Sequence, residues 1–188
     1  MASRTELVCL CEGEKGASID PVFINRLIRN LKPAWLRKTG SNFIDIRPQG
    51  GRRSLIRAFP NELRLCMNQG ANTTLMVWAD LDDDMKDGEQ LVEEFRKAAV
   101  ADGISDDDFK KAVFIFAKDR LENWIEFLEK GATDEAVEGP RVLSDRRARD
   151  AAKTLADRCA KQQAEPPLPP SLLWSCRNWR RLVERMKQ

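Results

Sequence analysis

Glu12 follows directly on a short apolar run, residues 6–11 (ELVCLC), and the acidic string Asp80-Leu81-Asp82-Asp83-Asp84 follows directly on a longer one, residues 73–79 (TTLMVWA). Residues two apart in an extended segment point to the same side, so Asp80 and Asp82 can present both carboxylates to one cation. A third carboxylate from a neighbouring strand end completes an oxygen-rich Mg²⁺ site, with water and substrate phosphate filling the remaining positions. Such an ion polarises a phosphodiester and activates a water or hydroxyl nucleophile. The competing reading of Asp80 and Asp82 is a capped turn carrying solvated acids, and an isolated Asp-x-Asp does not separate the two.

Composition narrows the chemistry. The chain of 188 residues contains no His, which excludes Ser-His-Asp catalysis, Cys-His catalysis and His-ligated zinc within it. A metal would have to be held by carboxylates, which favours Mg²⁺ or Mn²⁺. The five cysteines form no CxxC pair and are predicted to be free thiols. Cys9 and Cys11, two apart in an extended run, are expected on one face. An apolar fraction of 42% sustains a core. No stretch approaches the roughly 20 apolar residues of a membrane helix, and the first residues lack a secretory apolar core, so a soluble, cytoplasmic protein is expected.

Charge is divided by region. Residues 1–60 carry a net +6, residues 61–140 a net −11 and residues 141–188 a net +7. An acidic middle between basic ends fits a metal site flanked by phosphate-binding surfaces. Arg52, Arg53, Lys118, Arg146 and Arg147 are the candidates for tracking a nucleic-acid backbone. Ordinary helix surface is an equal reading for the arginine stretches.

The elements that must position these residues follow from periodicity. Residues 6–11, 42–46, 73–79 and 112–117 read as strands, the third being the strongest. Asp20-Pro21 opens a helix with Phe23, Leu27, Ile28 and Leu31 on one face, and Pro33 is expected to end or kink it. Residues 52–65 read as helical with a possible break at Pro60, and residues 88–101 and 119–130 as amphipathic helices. Asp106-Asp107-Asp108 reads as an acidic helix start with no catalytic part. Residues 145–163 form a charged Ala- and Arg-rich helix, residues 166–170 (PPLPP) a stiff connector, and residues 171–187 a basic, Trp-bearing helix. Trp124, Trp174 and Trp179 are expected in packing rather than as base-stacking platforms. The βα alternation predicts a mostly parallel sheet with helices on both faces, carrying its acidic residues at the carboxyl ends of its strands. An α/β domain over residues 1–140 and a C-terminal helical extension over residues 141–188 are expected.

The segments LVCLCEGEKG (7–16), TLMVWADLDDD (74–84) and VFIFAKDRLENWIEFL (113–128), with the ending SCRNWRRLVERM (175–186), resemble small stand-alone proteins of the Toprim superfamily, related to the overcoming-lysogenisation-defect nucleases. The resemblance implies a Toprim-like, Rossmann-like fold and phosphoryl-transfer chemistry on DNA or RNA. It implies that Glu12 serves as a metal-binding or acid–base carboxylate and that Asp80 and Asp82 ligate the metal, with Asp83 or Asp84 assisting. Glu14 and Asp20 are the acids nearest the position where nuclease relatives carry another one, although Asp20 reads equally well as a helix cap. Glu122 reads first as a helix-surface charge. No active-site Lys is evident after the last strand except Lys118 nearby. The resemblance also implies a role in anti-phage defence beside a separate ABC- or SMC-like ATPase, since the chain has no phosphate-binding G-x-x-x-x-G-K-[ST] loop. A homodimer is compatible with it. The competing function is a non-catalytic binding or regulatory subunit on the same scaffold. A response-regulator-like or phosphatase-like domain is weaker, for want of suitably placed Lys and Thr/Ser.

Overall fold

The computed structural model describes residues 7–31, 43–70, 73–161 and 167–185. The expected stop at Pro33 and the start of the proline-rich connector lie outside them. Four strands, β1 (Leu7–Cys11), β2 (Ile44–Pro48), β3 (Thr74–Leu81) and β4 (Val113–Lys118), form one sheet in the order β2-β1-β3-β4 with every pair parallel. Helices α1 (Asp20–Leu31), α2 (Arg52–Gln69), α3 (Gly88–Ala101), the short α4 (Asp106–Phe109), α5 (Leu121–Lys130), α6 (Asp145–Lys161) and α7 (Pro170–Arg185) surround it. This is the layered α/β architecture expected from the sequence.

Strand alternation divides the core into two. On one face Cys9, Cys11, Met76, Trp78, Ile115 and Ala117 meet α1, α5 and α6 through Phe23, Ile24, Trp124 and Ala152. On the other, Val8, Leu10, Leu75, Val77, Phe114 and Phe116 meet α2 and α3 through Phe59, Leu63 and Phe95. The second face is an aromatic cluster, with Phe59 edge-on to Phe95 at 5.3 Å and to Phe109 at 5.7 Å. Because both faces are covered, the inner strands are apolar throughout instead of alternating with polar residues, as parallel sheets require. All five cysteines are free, and Cys9 and Cys11 share one face.

The helix α2 runs through Pro60, where the sequence left both continuation and a break open. Proline removes one helical hydrogen bond. Leu55 and Phe59 before it, and Leu63 and Cys66 after it, are all buried on the same sheet face, and that packing holds the helix together. Ser105, not an aspartate, caps α4: its hydroxyl accepts the Asp108 N–H at 3.1 Å, leaving the three aspartates in the first turn.

The helix α7 closes the exposed edge at β4. The Ser175 hydroxyl accepts the Phe116 N–H at 2.9 Å and donates to the Phe116 carbonyl at 3.0 Å, and the Asn178 amide donates to the Phe114 carbonyl at 3.2 Å. These side chains satisfy edge groups that would otherwise invite another strand. Trp174 stacks on Phe116 with centroids 5.2 Å apart, and its ring lies so close to Gly88 that a Cβ there would overlap it. Trp124 is buried against Trp78 and donates to the Ser171 hydroxyl at 2.8 Å. Trp124 and Trp174 therefore serve packing, as expected, and Trp179 packs partly buried against the α1/α5/α6 side of the core. Among the described residues no helix is long and apolar enough to cross a membrane.

Candidate functional site

From β1 the chain crosses by α1 to β2 on one side, whereas β3 lies on the other. The helices α1 and α2 cover opposite sheet faces. The gap between the carboxyl ends of β1 and β3 is thus the switch point of the sheet, where open α/β folds leave a crevice for ligands. Glu12 and Asp80 stand at these two strand ends. The Asp80 N–H donates to a Glu12 carboxylate oxygen at 3.3 Å, and the Glu12 N–H donates to the Trp78 carbonyl at 3.1 Å.

A cleft of about 400 Å³ opens here on the α1/α5 side, lined by Glu12, Asp20, Asp80, Asp119 and Glu122 against two guanidiniums, Arg120 and Arg141. Parity explains part of the gathering. Asp80 continues the Met76–Trp78 side of β3 and so faces α1 and α5, whereas Asp119, just past the end of β4, reaches the cleft through its left-handed backbone. Asp20 begins α1 and Glu122 lies in the first turn of α5. In a βα unit the helix starts where its strand ends, so these helix N-termini point their partial positive charge at the cleft.

Burial pushes the Asp80 carboxyl well above the usual carboxylate range, and the charges of Asp20, Glu12 and Glu122 add to the shift. Glu12, Asp20 and Glu122 are also raised, each chiefly by burial. Among the described residues the Asp80 carboxylate accepts no hydrogen bond and joins no ion pair, and one buried Asp119 oxygen has no hydrogen-bond partner. Asp119 has φ 62°, the one described non-glycine residue in the left-handed region. Backbone strain of this kind concentrates at functional sites.

Gly13 makes room for the arrangement. A Cβ on it would collide with the Ser18 side chain and the Asp20 carboxylate. Ser18 donates its hydroxyl proton to Asp20 and accepts the Asp20 N–H at 3.1 Å, which fixes the start of α1 against the Glu12-Gly13 turn.

The remaining candidates lie elsewhere. The strand β3 ends at Leu81, and Asp82 starts a turn closed by the Met85 N–H at 3.0 Å, so strand parity no longer governs its direction. The exposed Asp82 carboxylate is held by the Arg52 guanidinium, which also donates to the Asp80 carbonyl. Lys118, on the α2/α3 side of β4, donates to the carbonyls of Asp82 and Met85 at 2.5 and 2.8 Å. Asp83 and Asp84 are exposed and do not line the cleft. Arg53 is exposed on the first turn of α2. Arg146 is exposed 3.7 Å from Asp150, and Arg147 makes a two-pronged pair with Glu129 at 2.9 and 2.7 Å.

The structure thus brings Glu12 and Asp80 together; Asp82 lies close enough for its charge to raise the Glu12 carboxyl but does not line the cleft, and Asp84 is exposed outside it. It adds Asp20 and Glu122 to the cleft, together with Asp119, Arg120 and Arg141, which sequence reasoning did not select. For Asp119 the signal was present, since it follows β4 as directly as Glu12 follows β1. Arg141 carried no such signal, because only the return of the loop before α6 brings it to the sheet end.

Hard carboxylate oxygens, one set of them unpartnered, suit a divalent cation. Among the described residues no three such side chains already stand as a cation-binding group. Mg²⁺ commonly takes one or two carboxylates and completes its shell with water and phosphate, so Asp80 with Glu12 meets its minimum.

The structure is similar to that of the C-terminal region of the Burkholderia pseudomallei OLD protein, at 15% identity and a TM-score of 0.40, over 95% of this chain and 98% of that one. No protein-family model and no curated protein matches the sequence.

Proposed function

We propose that the protein is a divalent-metal-dependent phosphoryl-transfer enzyme acting on nucleic acid, a nuclease in its simplest form. The observation that carries this reading is the unpartnered Asp80 carboxylate beside Glu12 at the switch point of a parallel sheet. The sequence resemblance to the Toprim superfamily, carried in part by the same Glu12 and Asp80 segments, agrees with it. Buried like charges repel one another, and a group bearing +2 relieves that repulsion where one proton relieves it only in part.

Asp80 and Glu12 would hold Mg²⁺ or Mn²⁺, which supplies charge stabilisation at a phosphodiester and lowers the pKa of bound water. The chain's own groups do the rest. The Asp80 N–H orients the Glu12 carboxylate, and Ser18 and Gly13 fix Asp20 on the facing wall. Glu122, whose proton affinity burial raises, is the carboxyl placed to act as a general acid toward a leaving oxygen. Arg120, at the entrance to α5, offsets the negative floor. DNA or RNA is the proposed partner, and a separate ATPase and a defence role follow from the resemblance alone.

Purified protein incubated with plasmid, single-stranded DNA and RNA in Mn²⁺, Mg²⁺ or EDTA tests the reading. Cleavage that requires the metal and disappears in Asp80→Ala is the expected result. Metal-independent cleavage, or cleavage that survives in Asp80→Ala, would refute it.

One observation favours a second reading, a non-catalytic scaffold. Arg52 occupies the Asp82 carboxylate and no three-residue cation group is assembled among the described residues. Under that reading no substrate is cut, and Asp80→Ala leaves partner binding intact.

A further inference from the structure

Between α5 and α6 the chain returns across the cleft, and residues 139–143 (GPRVL) are pinned to the start of α5. The Asn123 amide donates to the carbonyls of Lys118 at 3.2 Å and Val137 at 3.3 Å. Gly139 packs so closely on Asn123 that a Cβ would overlap its side chain. The Val142 side chain is buried in the core, and its N–H points at a Glu122 carboxylate oxygen 3.5 Å away. With Val142 turned in, its neighbours Arg141 and Leu143 are turned out, and both line the mouth of the cleft. Leu143 is 82% exposed, more than any other large apolar side chain described. Arg141 forms no ion pair among the described residues, whereas Arg120 is paired with Glu138.

We propose that Arg141 and Leu143 form a fixed lip that binds an unpaired nucleotide of a single-stranded polynucleotide. This rests on the nucleic-acid reading above and specifies its substrate. A polyanion approaching an acidic floor needs an uncommitted cation at the rim, and Arg141 is the guanidinium placed to contact a phosphate there. An aliphatic side chain held in water beside that cation gains by being covered, and the face of a splayed base or sugar covers it. In a duplex those faces are stacked away. A cleft of about 400 Å³ falls at the small-ligand end of binding sites and has room for a single nucleotide.

Fluorescence anisotropy with a labelled single strand and the matching duplex, in Ca²⁺ and again in EDTA over a salt series, tests the lip. Arg141→Gln is expected to weaken single-strand binding roughly 10-fold and to reduce the salt slope by about 0.7, the share of one phosphate contact on a single strand. Leu143→Asn is expected to weaken single-strand binding roughly 3-fold at an unchanged salt slope and to leave duplex binding alone. Thermal midpoints should not move, because both side chains project outward. Variants that bind both probes like the parent overturn the lip, as does a Leu143→Asn loss that is equal on duplex. A parent protein that binds neither probe removes the nucleic-acid reading together with the lip. Arg141-dependent binding without any metal-dependent cleavage leaves the lip standing and removes the enzyme.

Discussion

The cleft at Asp80 and the turn at Asp82 begin two residues apart, and they treat the same side chain in opposite ways. At Asp80 the carboxylate is crowded by other carboxylates, accepts no hydrogen bond among the described residues and has its proton affinity raised by burial. At Asp82 it lies in water and is claimed by Arg52. The turn is a closed structural unit in which Arg52 and Lys118 hold backbone and side chain alike. The cleft is an open one, setting five carboxylates against the two guanidiniums of Arg120 and Arg141. Folding spends free energy on such crowding only where the packing around it compensates, and a bound cation is the natural complement.

The sharpest way to break that contrast is to remove each carboxylate in turn. Asp80→Asn should lower metal-dependent cleavage by roughly 10²-fold or more, the scale of losing a metal-held charge in a transition state. Asp82→Asn should cost far less, within about 10-fold, because its carboxylate already has a partner. Equal losses in initial-rate assays would put both residues in one site and dissolve the distinction.

Next in size is Gly13→Ala. The added methyl meets Ser18 and Asp20 at the cleft wall. A loss of about 2 kcal/mol in urea unfolding is expected from overpacking. Unchanged stability would mean that the wall is loose and that Asp20 is not fixed toward Asp80.

Arg52→Met tests the turn. Arg52 is only 16% exposed but its partner Asp82 is 64% exposed, so solvent screens the pair, and most of the loss comes from the abandoned Asp80 carbonyl. A cost of about 1–2 kcal/mol is expected. A double-mutant cycle with Asp82→Asn should show a coupling well under 1 kcal/mol.

The cleft also predicts a pH dependence. Asp80, Glu12, Asp20 and Glu122 all bind protons more tightly in the fold than at their ordinary values of 3.8 for Asp and 4.5 for Glu. The folded protein therefore holds more protons than the unfolded chain above those values, and stability must fall as pH rises through the raised range. In EDTA the melting temperature should rise as pH is lowered through the range above those ordinary values. Asp80→Asn should flatten that slope, and Mg²⁺ should recover stability at the alkaline end. Asp106 and Asp108, held below their ordinary range by hydrogen bonds from Lys110 and Lys111, act in the opposite sense, but in open water they contribute little. Calorimetry showing a slope of the other sign would contradict the crowded cleft.

The smallest effect is at Asp119. Glycine adopts its φ of 62° without strain, so Asp119→Gly should stabilise by up to about 1 kcal/mol and reduce cleavage if the carboxylate serves the site. Lost stability in thermal unfolding would instead assign Asp119 a structural role.

The sequence by itself determined the layers. Apolar runs too short for helices and free of polar alternation specify buried parallel strands, and the amphipathic stretches between them specify the covering helices. It also determined that carboxylates stand at the ends of β1 and β3, and that chemistry in this chain proceeds without histidine. What it could not determine was direction. Period-two reasoning put Asp80 and Asp82 on one side because it assumed that the strand continued, and the strand stops at Leu81. Glu122 read as surface until the loop before α6 folded back over it, and Arg141 reached the cleft by the same return. Strand and helix identity are written in local spacing of 2 and 3.6 residues. Which carboxylates share a cleft, and which are claimed by an arginine 30 residues away, depends on where each strand ends and which face each helix covers, and those are set by contacts between distant parts of the chain.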